Sequence, residues 1–165
     1  MRHWVIAIFL CLAFCASRES QTQTQENSGP ISTVKAFLVA LQNADLDGVV
    51  ATFAADATVF MPMPTIPKRL SGKKEILEGF SPLLKEVRES GNGPPYMVLN
   101  PQDIESQEFE TMAIVTFHLG KLLAEGSTEA TSFSRRTFIL RPIHGEWFIV
   151  HMHASNVMIQ PKSKS

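Results

Sequence analysis

Cysteine is almost missing from this chain: 165 residues contain two, Cys11 and Cys15, both within the first fifteen positions. The remaining sequence therefore has no disulfide framework, no thiol nucleophile and no thiolate metal ligand. Charge of one sign is not in excess either. Fifteen Lys and Arg stand against 16 Asp and Glu, a formal net charge of −1, and no long basic run occurs, so nucleic acid is not an expected partner. Tyrosine occurs once, at Tyr96, and no aspartate falls between Thr111 and Ser155. No Gly-x-Ser-x-Gly elbow accompanies the serines, which removes the commonest signature of a serine hydrolase.

What is present suits one packed domain with appendages: 44% of residues are hydrophobic and 19% charged. The start is separate in character. Arg2 and His3 precede an uncharged apolar run, Trp4 to Cys15, followed by Ala16 and Ser17. A basic start, a short apolar stretch and a small-residue exit describe a secretory signal peptide over 1–17, and the run falls short of the ~20 residues that span a bilayer. Cleavage there leaves no cysteine and 14 Lys and Arg against 16 Asp and Glu, in a secreted or periplasmic protein. Leu12-Ala-Phe-Cys15 also has the outline of a lipoprotein box, although Phe14 is large where a small residue is usual; a membrane enters only if Cys15 is lipidated. Residues 18–29 are polar throughout and read as a flexible linker, 30–157 as the domain, and 158–165 as a frayed tail.

Within 30–157 the helical periodicity comes first. Val34, Phe37, Leu38 and Leu41 form one apolar stripe at helical spacing, and Leu46, Val49, Val50 and Phe53 form a second with Asp45 as its N-cap. A strand over Ala57–Met61 is stopped by Pro62, and Pro62, Pro64 and Pro67 predict a loop. Ile76, Phe80, Leu83, Leu84 and Val87 make a third helical stripe, with Pro82 predicting either a kink or a second short helix. Four strands follow, over 96–106, 112–123, 131–142 and 146–155. Helices first and then a strand meander predict an α+β domain, a curved antiparallel sheet with three N-terminal helices packed on its concave side.

Three stretches carry a family resemblance. Val34-Lys-Ala-Phe-Leu through Asn43-Ala-Asp-Leu-Asp-Gly to Phe53-Ala-Ala-Asp-Ala-Thr-Val resembles the first third of SnoaL-like domains, and Gly72-Lys-Lys-Glu-Ile resembles their third-helix start. The ending Trp147-Phe-Ile-Val-His-Met-His-Ala-Ser155 is similar to the branch that includes the association domain of calcium/calmodulin-dependent protein kinase. The resemblance implies the cone of the nuclear-transport-factor-like and ketosteroid-isomerase-like superfamily, with a pocket between helices and sheet and with homodimers or larger rings. It does not choose a chemistry, because that superfamily holds isomerases, cyclases, dehydratases, binding proteins and assembly modules. The single tyrosine and the aspartate-free late strands fit poorly with a ketosteroid-isomerase or polyketide-cyclase constellation.

One cluster bears on function. A hairpin centred on Ile143-His-Gly145 sets Arg141 opposite Trp147, Ile139 opposite Ile149, Thr137 opposite His151 and Arg135 opposite His153, with Ser155 on the same face. The other face carries Arg136, Phe138, Leu140, Phe148, Val150, Met152 and Ala154. The resemblance turns the first face into the cone. Arg135, Thr137, Trp147, His151, His153 and Ser155 then become ligand-binding candidates for an apolar or weakly acidic small molecule, and the apolar second face becomes the expected homo-oligomer contact. Tyr96, His118, His151 and His153 are the candidate acid–base residues if the domain is an isomerase, dehydratase or cyclase-like enzyme. A non-catalytic assembly module is the third reading, with the polar cluster serving structure. His151-x-His153 lacks the further ligands a zinc site needs, so neither a metal nor another cofactor is expected.

Overall fold

Pro30 opens the first helix, where a missing N–H leaves no hydrogen bond unmade. Helix α1 (Pro30–Gln42) buries Val34, Phe37 and Leu38 and ends at Asn43. In α2 (Leu46–Ala51) the Asp45 carboxylate accepts from the Gly48 N–H at 3.0 Å, the expected N-cap. Strand β1 (Phe53–Phe60) begins four residues before the expected strand. Phe53, placed in a helix by its spacing, is drawn into the sheet, where the neighbouring Thr52 carbonyl accepts from the Ile149 N–H at 2.9 Å. A two-residue strand β2 (Leu70–Ser71) leads into α3 (Gly72–Ser90). That helix runs through Pro82 as a single element; Pro82 lies on its exposed side, as does Glu78, whose carbonyl loses its helical donor to the proline ring. The meander β3 (Leu99–Glu108), β4 (Ala113–Leu122), β5 (Ala130–Ile143) and β6 (Glu146–Val157) completes the domain.

This computed structural model describes residues 29–61, 69–90, 93–122 and 130–157. The expected signal segment 1–17 with Cys11 and Cys15, the linker up to residue 28, the prolines at 62, 64 and 67 and the tail 158–165 lie outside the described residues.

The six strands form one curved, unclosed sheet in the order β2-β1-β6-β5-β4-β3. Pairing is antiparallel except between β1 and β6, which run parallel, so the sheet is mixed. The long excursion through α3 and the meander supplies the crossover that a parallel pair requires. The helices pack on one face, as the α+β reading expects. Phe53, Phe80, Phe138, Ile76, Leu140 and Ile149 are the largest fully buried side chains there. Phe138 is the hub: its ring lies 5.3 Å from Phe37 in edge contact and 5.5 Å from Phe117 in a stack.

The β5–β6 hairpin turns on two residues, His144 and Gly145, both at positive φ (53° and 87°). Ile143 pairs with Glu146, Leu140 with Ile149, and then Ile139 with His151. Val150 has no partner in that series and forms a β-bulge.

Candidate functional site

The turn and the bulge together decide which side chains meet the helices. A two-residue turn in place of a three-residue one shifts the expected pairing by one position, and the bulge shifts it by one more. Beyond the bulge Arg135 therefore faces Ser155, Thr137 faces His153, and Ile139 faces His151. Two shifts restore the parity of that outer segment, so Arg135, Thr137, His151, His153 and Ser155 do share one face. Trp147 leaves the group: strand alternation puts it with buried Ile149 on the helix side, where its carbonyl accepts from Thr33 Oγ1 at 3.0 Å.

The shared face points away from the helices, opposite to the expected direction. Phe138, Leu140, Met152 and Ala154, assigned to an oligomer contact from sequence, are buried beneath the chain's own helices. The reason is bulk. The face holding Phe138, Leu140, Ile149 and Met152 offers more apolar surface to the helical stripes than the one holding Arg135, Thr137 and two histidines.

A cavity of about 190 Å³ lies on that buried face. Among the described residues it is lined by four phenylalanines (Phe37, Phe80, Phe117 and Phe138), four leucines, Met61 and Met152, and one ionisable residue, Arg136. Arg136 stands on β5 between Phe117 of β4 and Ala154 of β6. Burial pushes its guanidinium down from the ordinary arginine range to about 10, and burial is the only cause of that shift. Among the described residues its side chain has no hydrogen-bond or ion-pair partner. It remains a cation at neutral pH, aimed into an otherwise apolar chamber. Sequence inspection placed Arg136 on the apolar strand face without giving it a role. An arginine interrupting a Phe-Leu-Met face was the available signal.

The expected site residues lie elsewhere. His151 Nδ1 is 2.7 Å from Thr58 Oγ1, and the Phe60 ring sits 6.0 Å from both the His151 and His153 rings. Desolvation, with the nearby charges of His153 and Arg69, holds His151 below its ordinary value and hence neutral at pH 7. Arg135 and His153 are exposed, and Thr137 and Ser155 half-buried, on the same outer face. His118, also exposed there, has Nδ1 3.5 Å from Asp103 Oδ2. Tyr96 is half-buried against the core, its backbone N–H donating to the Gln42 carbonyl at 2.8 Å. None of the eight lines the cavity. Among the described residues no three His, Cys, Asp or Glu side chains gather as a metal site, and no helix is long and apolar enough to cross a membrane.

This architecture, a bent sheet closing over three helices around an apolar chamber, defines a cone-fold domain. The chain belongs to the SnoaL-like domain family, whose model matches residues 31–160. No functionally curated protein matches it by sequence. Among solved structures it is similar to a proposed calcium/calmodulin-dependent protein kinase type II association domain from Thiobacillus denitrificans (16% identity, TM-score 0.65, 79% of this chain and 97% of that one). It is also similar to an NTF2-like protein of unknown function from Pseudomonas putida (17% identity, TM-score 0.63, 87% and 91%). A proposed NTF2-like dehydratase from Streptomyces avermitilis matches at 18% identity and TM-score 0.63, over 84% and 99%. At these identities the likeness establishes the fold alone.

Proposed function

We propose that this SnoaL-like domain is an exported binding protein for a small apolar molecule bearing one acidic group, held in the cone cavity by Arg136. The observation that carries the reading is the half-buried guanidinium, without a partner among the described residues, that lines an otherwise apolar chamber. A desolvated charge with no counter-ion is costly, and an anionic ligand supplies the missing partner through a planar, charge-assisted contact. The cationic group thus sits one position along the chain from Arg135, the residue suggested by sequence.

Binding is favoured over catalysis for a related reason. Among the described residues Arg136 is the one ionisable side chain lining the cavity, a set that favours holding an anion over moving a proton. His151 is neutral and competent as a base, but it lies on the outer sheet face, so an enzyme using His151 and His153 needs a second site there. The outer face also bears the proposal of self-association, through half-buried Ile139 and exposed Phe60 in place of Phe138. Export rests on the sequence of 1–17.

Native mass spectrometry of the protein recovered from its own host tests all three parts. The expected result is a chain beginning near residue 17 or 18, an oligomeric mass, and a retained small acid lost in Arg136→Met. A retained neutral molecule unaffected by that substitution would remove Arg136 from the binding role. A chain beginning at acylated Cys15 would replace the soluble form with a lipoprotein.

A further inference from the structure

Taking the cone-cavity binder as its premise, we infer that the ligand is an aryl monocarboxylate of a single ring, its carboxylate on Arg136 and its ring among Phe37, Phe117 and Phe138. Size sets the first limit. A buried apolar cavity of about 150 Å³ accommodates benzene; this one measures about 190 Å³, which leaves room for one ring and a small substituent.

Shape sets the second. The cavity walls are phenylalanine faces and edges: Phe117 stacks on Phe138 with planes 16° apart, and Phe37 meets Phe138 edge-on. A flat ring finds offset-stacked and edge-to-face positions there that a chain does not. An alkyl acid of equal volume must also coil to fit and gives up rotational freedom in doing so. A rigid ring loses far less.

Charge sets the third. With no other ionisable lining residue among those described, a monoanion balances the guanidinium, whereas a phosphate or sulfonate-carboxylate dianion leaves one uncompensated negative charge against an apolar wall. The guanidinium fork matches the two coplanar oxygens of a carboxylate.

The test uses the full chain at pH 7 and titration calorimetry with benzoate, phenylacetate, toluene, octanoate, phenyl phosphate and the steroid acid cholate. Binding is located by methyl-labelled methionine NMR. Benzoate or phenylacetate is expected to bind at least tenfold more tightly than octanoate, toluene or phenyl phosphate, with cholate silent. Ring-current shifts should appear at Met61 and Met152, which line the cavity, and not at Met97 or Met112. Arg136→Met is expected to weaken the aryl acid by about 10- to 100-fold, the worth of hydrogen bonds to a charged group. Arg136→Lys, which keeps the charge without the fork, should fall between the two. Octanoate binding as tightly as the aryl acids overturns the ring and leaves the acid-binding reading standing. Equal affinity for phenyl phosphate overturns the monocarboxylate. Toluene equal to benzoate, or no member of the panel moving Met61 and Met152, overturns the acid-binding cone cavity and this inference with it.

Discussion

Replacing Arg136 by methionine is expected to make the ligand-free protein more stable. Lowering the guanidinium from the ordinary arginine range to about 10 corresponds to about 3 kcal/mol, at ~1.4 kcal/mol for each tenfold change in proton affinity. That is the upper bound of what neutralisation returns. Methionine matches the arginine stem in length and adapts to irregular space, but does not fill the volume of the guanidinium, so a net gain of about 1–3 kcal/mol is expected. For a domain of this size roughly 4 °C accompanies each kcal/mol, giving a rise of about 4–12 °C in Tm. Urea unfolding followed by circular dichroism provides the free energy, and an unchanged slope shows that the midpoint reports stability. The pH dependence supplies a control. The folded guanidinium releases its proton at a lower pH than the unfolded one, so the charge penalty is fully present below about pH 10. It fades as pH rises from there towards the ordinary arginine range, and the gap between variant and wild type should narrow as it does so. A variant less stable than wild type by more than about 1 kcal/mol would falsify the description of Arg136 as an unpaired charge, since only a partnered one is missed that much.

Phe138→Ala removes a fully buried ring with aromatic contacts on two sides and should cost about 3–5 kcal/mol, read from the urea midpoint; a loss under 1 kcal/mol would mean that the helices do not pack on this face. Arg135→Ala, on the exposed outer face, should change neither ligand affinity nor stability by more than about 0.5 kcal/mol, and abolished binding would return the site to that side of the sheet. Because His151 is held below its ordinary value of 6.5, the unfolded chain binds the proton more readily as pH falls. Stability should therefore drop below about pH 6.5, and the drop should be shallower in His151→Asn, which preserves an acceptor for Thr58; superimposable acid limbs for the two proteins would show that this imidazole stays solvated.

Much of this molecule is legible in local patterning. The stripes of α1 and α3, the Asp45 cap and the four-strand meander follow from spacing and turn residues, and the family is carried by the Gly72-Lys-Lys-Glu-Ile and Trp147–Ser155 segments. What does not follow is parity. Strand faces alternate, so an error of one position exchanges inside for outside. Two such one-position effects occur within a few residues of one another, at the His144-Gly145 turn and at Val150. Neither leaves a composition signal as strong as a proline. The choice between faces is then made by summed apolar area against the helices, which favours Phe138, Leu140, Ile149 and Met152. Arg136 is carried inward with them, and the expected cluster of Arg135 and the histidines is carried outward. The parallel β1–β6 pair is hidden for a different reason: its partners are separated by most of the domain, beyond the reach of any local rule.

Val150 works like an inserted letter in a reading frame. Every residue of β6 after it is read by the opposite side of the sheet from the one that regular alternation from Trp147 prescribes. Were the strand to run regularly through Val150 instead of bulging there, the lining of the chamber would exchange: Met152 and Ala154 would turn outward, and His151, His153 and Ser155 would take their places beside Arg136. One bulge thus separates an oily receptacle with a lone cation from a chamber furnished with imidazoles and a hydroxyl, a short path by which a scaffold of this kind can pass from holding a molecule to transforming one.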